Sequence, residues 1–238
     1  MTNINTLIEG GKTLGIELKE EEINNFILYK QLLKEWNKKI NITSITDNEE
    51  IDIKHFIDSI TPLTTNLIGK NIKMIDIGTG GGFPGVPLKI MNKEMDVVLL
   101  DSLKKRITFL NDIIEKLNLE NITTIHGRAE ELGRDKNYRE KYDIAISRAV
   151  ASLNTLNEYC LPFVKTGGYF ISMKGPDVDE ELKEAEKSIK ILGGKLKDVK
   201  VIDLPLSDIT HSLIIIEKIK ETPTKYPRGG GKPKKKPL

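Results

Sequence analysis

The 238-residue sequence predicts an α/β fold: a doubly wound, mostly parallel sheet of seven strands ending in an antiparallel hairpin, with a helical extension in front. Three observations lead there. A run of apolar residues stops abruptly at a glycine cluster near position 78. Strand and helix patterns alternate from Gly69 onward. The last two strand-like segments, 199–204 and 212–219, are joined by a short turn. The chain divides accordingly into helices over 1–65, the sheet domain over 66–220 and a tail over 221–238.

Residues 1–65 read as helical. Thr2 to Leu14 is a weak amphipathic segment carrying Gly10 and Gly11. Glu20, Glu21 and Glu22 place negative charge in the first turn of a second helix, whose stripe is Ile23, Phe26, Ile27, Leu33 and Trp36. Lys30, Lys34 and Lys38 repeat every four residues on another face, as either a solvated surface or an RNA-facing stripe. Thr46 and Glu49 form a capping box for a third helix ending at Ile60. His55, Asp58 and Ser59 share one side of it, as a self-satisfied polar cluster or as a site wall.

The first strand, Ile72 to Ile77, is apolar enough to be covered on both faces. Met95 to Leu100 is the second and ends at Asp101; Ser102 is expected to cap the helix after it, whose apolar face is Ile107, Leu110, Ile113, Ile114 and Leu117. Ile122–Ile125 and Tyr142–Ile146 are the third and fourth strands. A helix over 152–164 leads through Gly167 and Gly168 to a fifth, Tyr169–Met173; a helix over 177–192 then stops at Gly193.

The glycine loop Gly78-Thr79-Gly80-Gly81-Gly82-Phe83-Pro84-Gly85 follows the first strand and opens a helix. Two fingerprints overlap in it. Gly80, Gly82 and Gly85 satisfy the dinucleotide pattern G-x-G-x-x-G. Asp76 with Gly78, Gly80 and Gly82 satisfies the pattern of S-adenosylmethionine (AdoMet) methyltransferases. A pyrophosphate wants N–H donors and no acid beside it, whereas the ammonium and sulfonium of AdoMet give Asp76 a cation to meet. The terminal antiparallel hairpin is a second point for AdoMet. Asp101 lies where adenosine-binding sheets put a carboxylate on the ribose, and Ala129 and Glu130 follow the third strand, beside the adenine. Arg148 ends the fourth strand, where ligands bind in such sheets.

Composition bounds the rest. With 38% apolar and 30% charged residues and no apolar run of transmembrane length, a soluble chain with no membrane partner is expected. The first five residues lack the parts of a signal peptide. A single cysteine, Cys160, fits a reducing cytoplasm and buried packing. His55, His126 and His211 lack metal-ligand spacing, so no metal is expected. Net charge is +2, but Lys225, Arg228, Lys232, Lys234, Lys235 and Lys236 all fall in the last fourteen residues, leaving the rest at −4. Such a tail has no core-forming pattern and is expected to stay mobile until it meets phosphate.

Taken together, Trp36-Asn37, Asn41-Ile42-Thr43, His55, Asp58-Ser59, the G-F-P-G continuation at 82–85, Asp101-Ser102-Leu103-Lys104-Lys105-Arg106, Ile146-Ser147-Arg148-Ala149, Lys174-Gly175 and Tyr226-Pro227-Arg228 resemble the bacterial small-subunit rRNA guanine-N7 methyltransferases, the RsmG (glucose-inhibited division protein B) family. The likeness runs nearly end to end; G-F-P-G and I-S-R-A are its most diagnostic parts. It implies a Rossmann-like class I fold, AdoMet as cofactor, and contacts to it from Gly78, Phe83, Ala129, Glu130 and Arg148, with Asp76, Gly80 and Asp101 following the wider methyltransferase pattern. Gly229 and Gly230, where the family often has a further basic residue, are expected to loosen the tail. The implied partner is small-subunit (16S) rRNA or a ribosomal particle, bound by a monomer. Its phosphates are assigned to Lys30, Lys34, Lys38, Lys174, Arg228, Lys232, Lys234, Lys235 and Lys236. Enzymes that methylate exocyclic base amines usually carry Asn/Asp-Pro-Pro-Tyr/Phe after the fourth strand; Ser147-Arg148-Ala149-Val150 stands here instead. Guanine N7 already presents a lone pair, so Arg148 is assigned to positioning rather than acid–base work, and Arg148→Ala is expected to cut turnover with the fold intact. An NAD(P) oxidoreductase and a non-catalytic RNA-binding protein are the competing possibilities.

Overall fold

A computed structural model describes residues 5–238. The first four residues of the stretch read as lacking a leader, and the opening of the 2–14 helix, lie outside the described residues. Helices α1 (Asn5–Thr13) and α2 (Glu20–Asn37) come first. Next come α3 (Asn48–Ile51), a π-helical turn Asp52–Ile57 and α4 (Asp58–Ile60), continuous along one axis. The cap is Asp47 rather than Thr46: its carboxylate accepts from the N–H groups of Glu49 (2.9 Å) and Glu50 (3.0 Å). One carboxylate oxygen thereby satisfies two of the free amides of the first turn.

The sheet domain runs β1 (Lys73–Ile77), α5 (Gly85–Met91), β2 (Asp96–Asp101), α6 (Lys104–Lys116), β3 (Ile122–His126), α7 (Ala129–Leu132) and β4 (Tyr142–Arg148). It continues with α8 (Leu153–Cys160), β5 (Val164–Lys174), α9 (Asp179–Ile191), β6 (Gly194–Asp203) and β7 (Thr210–Lys218), and α10 (Lys232–Lys235) closes the chain. Strand order is β3-β2-β1-β4-β5-β7-β6. The first five strands are parallel, and β7 pairs antiparallel with both β5 and β6. The expected seven-stranded sheet with its terminal hairpin is therefore present. Two strands start earlier than the periodicity implies: β5 at Val164 and β6 at Gly194. In β6 the lysines and a register shift between Leu196 and Asp198 disguise the alternation. Ser102 does not cap α6: Leu103 takes the N-cap position and no side chain caps the helix, while the Asp101 carboxylate accepts from Leu103 N–H (2.8 Å) just before it.

Two apolar cores sandwich the sheet. One packs α1, α2, the 48–60 helix, α5 and α6; the other packs α8 and α9. The N-terminal helices reach the glycine loop directly. The Tyr29 hydroxyl donates to the Gly81 carbonyl, and Phe83 stacks on Tyr29 (5.5 Å) and His55 (4.5 Å). The lysine stripe of α2 is split: Lys30 is buried and paired with Asp52 at 2.5 Å, while Lys38 is exposed. Lys30 therefore cannot meet phosphate. Its partner sits at the π-helical turn, a register that no four-residue spacing on α2 discloses.

The basic tail is docked. Arg228 donates to both oxygens of the fully buried Glu158 (2.6–3.1 Å). Arg139 donates to the carbonyls of Thr222 (2.5 Å) and Tyr226 (2.8 Å), and Arg134 to that of Pro227 (2.6 Å). Tyr226 enters the second core and Leu238 packs against it. Gly230 and Gly231 take φ of 67° and 69°, so these glycines form the left-handed turn that sends α10 back along α8. The expectation of a mobile tail fails because its anchors, one aromatic and one arginine, are too few to register as a core pattern. No described helix is long and apolar enough to cross a membrane, and no metal-binding cluster occurs among the described residues.

Candidate cofactor and substrate site

Beyond the carboxyl ends of β1, β2 and β4, where the winding reverses, lies a cavity of about 220 Å³. Gly78, Asp101, Ala129 and Glu130 line it together, with Leu100, Val150, Ala151 and Tyr159 as its less polar surface. These four expected residues converge. The segment 149–151 closes one side, and a Cβ on Gly78 would sit 2.7 Å from the Val150 side chain. Gly78 also has φ of 71°, so glycine is required there twice over.

The loop's own hydrogen bonds decide which ligand class fits. Gly78 and Thr79 donate to Leu100 O, Gly80 to Asp101, Gly82 and Phe83 to Thr79 O, Gly85 to Asp76 and Val86 to Gly82 O. Almost every N–H that a pyrophosphate needs is already spent inside the protein. The start of α5 is satisfied as well, since Leu88 N–H donates to Pro84 O. The buried charged groups facing the cavity are two carboxylates, Asp101 and Glu130, both acceptors, while its cations, Arg128 and Lys234, stand exposed at its edge. Acceptors suit hydroxyls, an adenine amine and a cation, and oppose a diphosphate. The donor set fits AdoMet and does not fit a dinucleotide.

Three of the expected cofactor residues act through the loop instead of lining this cavity. Asp76 is fully buried, and one carboxylate oxygen accepts from the Thr79 hydroxyl (2.7 Å) and Gly85 N–H (2.8 Å). Burial pushes its pKa up to about 6 against those bonds, and its other oxygen has no partner. Gly80 holds Asp101 through its amide (2.9 Å). Phe83 faces the N-terminal helices. Asp76 is thus a brace for the loop and not a counter-charge in the cavity, because Thr79 and Gly85 turn its carboxylate inward.

Arg148 reaches a second cavity of about 330 Å³ on the other side of Ala149. Its guanidinium donates to Asp58 (2.7 Å) and the Lys54 carbonyl (3.0 Å), approaches His55 Nδ1 (3.3 Å) and lies over the Phe83 ring (5.0 Å). The other Asp58 oxygen pairs with His211 Nδ1 at 2.7 Å. Burial alone would raise the Asp58 pKa, but the bonds from His211 and Arg148 hold it below the ordinary value. That same bond raises His211. Burial, then the neighbouring guanidinium, pushes His55 down to about 4, so its imidazole is neutral; with Nδ1 accepting from Arg148, Nε2–H is left to donate to the Thr43 hydroxyl (2.8 Å). Met173, Lys174 and Gly175 complete the wall.

His55 and Asp58 therefore belong to a site wall, whereas Ser59 is buried without a partner. His211 joins them from β7, 153 residues away from Asp58, with no local signal to reveal it. Lys174, assigned to RNA, instead donates to Ala151 O and Glu181 (both 2.7 Å) and braces the segment between the two cavities. Arg228 is likewise withdrawn by Glu158. Lys34 is half-buried; Lys38, Lys232, Lys234, Lys235 and Lys236 are exposed. Tyr159 and Lys234 line the first cavity, a placement that local spacing does not disclose.

Comparison with known proteins agrees with this architecture. Among solved structures, the fold is similar to NSun6 from Pyrococcus horikoshii, solved with SFG (TM-score 0.55, 14% identity, 69% of this chain and 52% of that one), and to TrmN from Thermus thermophilus (TM-score 0.52, 16% identity, 71% and 53%). Both likenesses concern the fold alone. In sequence, the chain is 56% identical to the ribosomal RNA small subunit methyltransferase G of Acetivibrio thermocellus over 98% of its length and 95% of the relative's. It is 53% identical to that of Alkaliphilus oremlandii, over 98% and 97%. The profile of the GidB family, described as rRNA small subunit methyltransferase G, matches residues 22–210. With that match across most of its length and both cavities in place, the chain belongs to the rRNA small subunit methyltransferase G family.

Proposed function

We propose that the protein transfers the methyl group of AdoMet to N7 of a guanine in small-subunit (16S) ribosomal RNA, in line and without a general base. The observation that carries this is the second cavity, which adjoins the cofactor cavity across Ala149 and Val150 and whose ionisable groups are already partnered: His55, Asp58, Arg148 and His211 with one another, Lys54 with Glu50 and Lys174 with Glu181. AdoMet supplies an electrophilic methyl on a sulfonium. Guanine N7 needs no deprotonation before attack, so the work left to the protein is alignment and exclusion of water. Arg148 positions the base from the end of β4. Asp58 offsets the guanidinium charge, which keeps that wall from opposing the positive charge that develops on the purine.

Lys38, Lys232, Lys234, Lys235 and Lys236 remain the phosphate contacts, with Lys34 beside them; such contacts position RNA without reading its sequence. The target is an unpaired guanine able to enter the cavity. The partner is ribosomal RNA, free or in a particle, bound by a monomer in the cytoplasm with no metal.

The test is transfer of labelled methyl from AdoMet to undermethylated small subunits, with the modified nucleoside identified. Label in 7-methylguanosine is expected. Label in another nucleoside would overturn the N7 chemistry and leave the methyltransferase; no label and no AdoMet binding would overturn both.

A further inference from the structure

The docked tail meets the cofactor cavity. Lys234 is one of the residues lining it, alongside Tyr159, Glu130 and Gly78. The two contacts come from neighbouring positions on one short helix. In α8, Tyr159 faces the cavity, while Thr155 and Glu158 face the tail; the Thr155 hydroxyl donates to Pro233 O (3.3 Å). Glu158, fully buried, takes four hydrogen bonds from Arg228, including its backbone N–H (2.6 Å). Arg228 also donates to Lys236 O (2.8 Å), pinning the far end of α10. Pro233 is buried between them, so the position of Lys234 is set on both sides.

From this geometry we propose that residues 226–238 form a strap that is part of the AdoMet site, with Lys234 as a binding residue and Arg228 as the positioning residue that holds it there. This rests on the cofactor reading above. The aliphatic stem of Lys234 covers the cavity mouth while its ammonium stays in water. Lys232, Lys235 and Lys236 stand exposed beside it, so RNA phosphates that engage them do so at the rim of the cofactor cavity.

The experiment measures binding of AdoMet and of S-adenosylhomocysteine by calorimetry, with no RNA present. The intact chain is compared with Lys234→Ala, with Arg228→Ala and Arg228→Lys, and with a chain ending at Gly231. Lys234 is exposed, so Lys234→Ala keeps the folding question apart; thermal unfolding is recorded for all. Both ligands are expected to bind at least fivefold more weakly to Lys234→Ala and to the shortened chain, with partial recovery in Arg228→Lys over Arg228→Ala. Affinities within twofold of wild type in Lys234→Ala and in the shortened chain would overturn the strap and leave the tail as an RNA contact only. No binding by the intact chain would overturn the cofactor reading itself, and the strap with it.

Discussion

Asp76, one residue short of the end of β1, has a proton affinity that burial has raised, and this has a measurable sign. Because its folded-state pKa of about 6 exceeds the ordinary carboxylate value, the folded chain holds that proton more tightly than the unfolded one. Its contribution to stability is greatest below about pH 4 and declines until the pH passes about 6. Asp76→Asn cannot ionise, so the melting-temperature difference should move in the variant's favour as pH rises through that window; parallel curves would show that the carboxylate is not desolvated. Arg148 calls for a revision of the expectation that its removal spares the fold. Arg148→Ala leaves Asp58 buried with His211 alone, so loss of turnover should come with about 3 kcal/mol of lost stability in urea unfolding. His211 is the one imidazole of the second cavity whose pKa is raised, and hence the one candidate base. If N7 needs none, the pH–rate profile of His211→Gln between roughly pH 6 and pH 9 should follow the wild-type shape, whatever the change in absolute rate. Loss of a limb from that profile would restore acid–base chemistry to this residue.

At the scale of elements, the strand-and-loop unit was the most legible part of the chain. Gly78, Asp101, Ala129 and Glu130 all sit at the carboxyl ends of consecutive parallel strands, so recognising the strands placed the residues. What spacing could not supply was direction. Lys30 and Lys38 share a helix face on paper, yet the 48–60 helix covers one and not the other. Lys30→Met should therefore destabilise the protein by about 3–5 kcal/mol, through the unpaired Asp52 it leaves behind, and should not change the salt dependence of RNA binding. Replacing both Lys30 and Asp52 with apolar residues should recover most of that loss. A salt slope altered in Lys30→Met would put the lysine back on the RNA face. His211 and Lys234 were illegible for a different reason: each joins its cavity through a contact far along the chain, made only once the hairpin and the tail have folded back.

At the scale of the whole molecule, two cavities share one partition, the segment 149–151, and the elements packed around them come from both ends of the sequence. The N-terminal helices grip the glycine loop through Tyr29 and the tail grips α8 through Arg228, so the ends of the chain converge on the same crevice. The sheet's far edge, by contrast, faces away from all of this. Strand β6 is the last in the order, with Lys195 and Lys197 exposed and its ladder interrupted between Leu196 and Asp198. A second copy approaching that edge would have to bury Lys195 and pull Lys197 from Glu217 (3.4 Å), beside the register shift in the β6–β7 ladder, a built-in refusal of strand-to-strand self-pairing. Light scattering on a Lys195→Val/Lys197→Val variant should accordingly report a mass that climbs with concentration more steeply than that of the wild-type chain; equal curves would show that the edge lysines guard nothing.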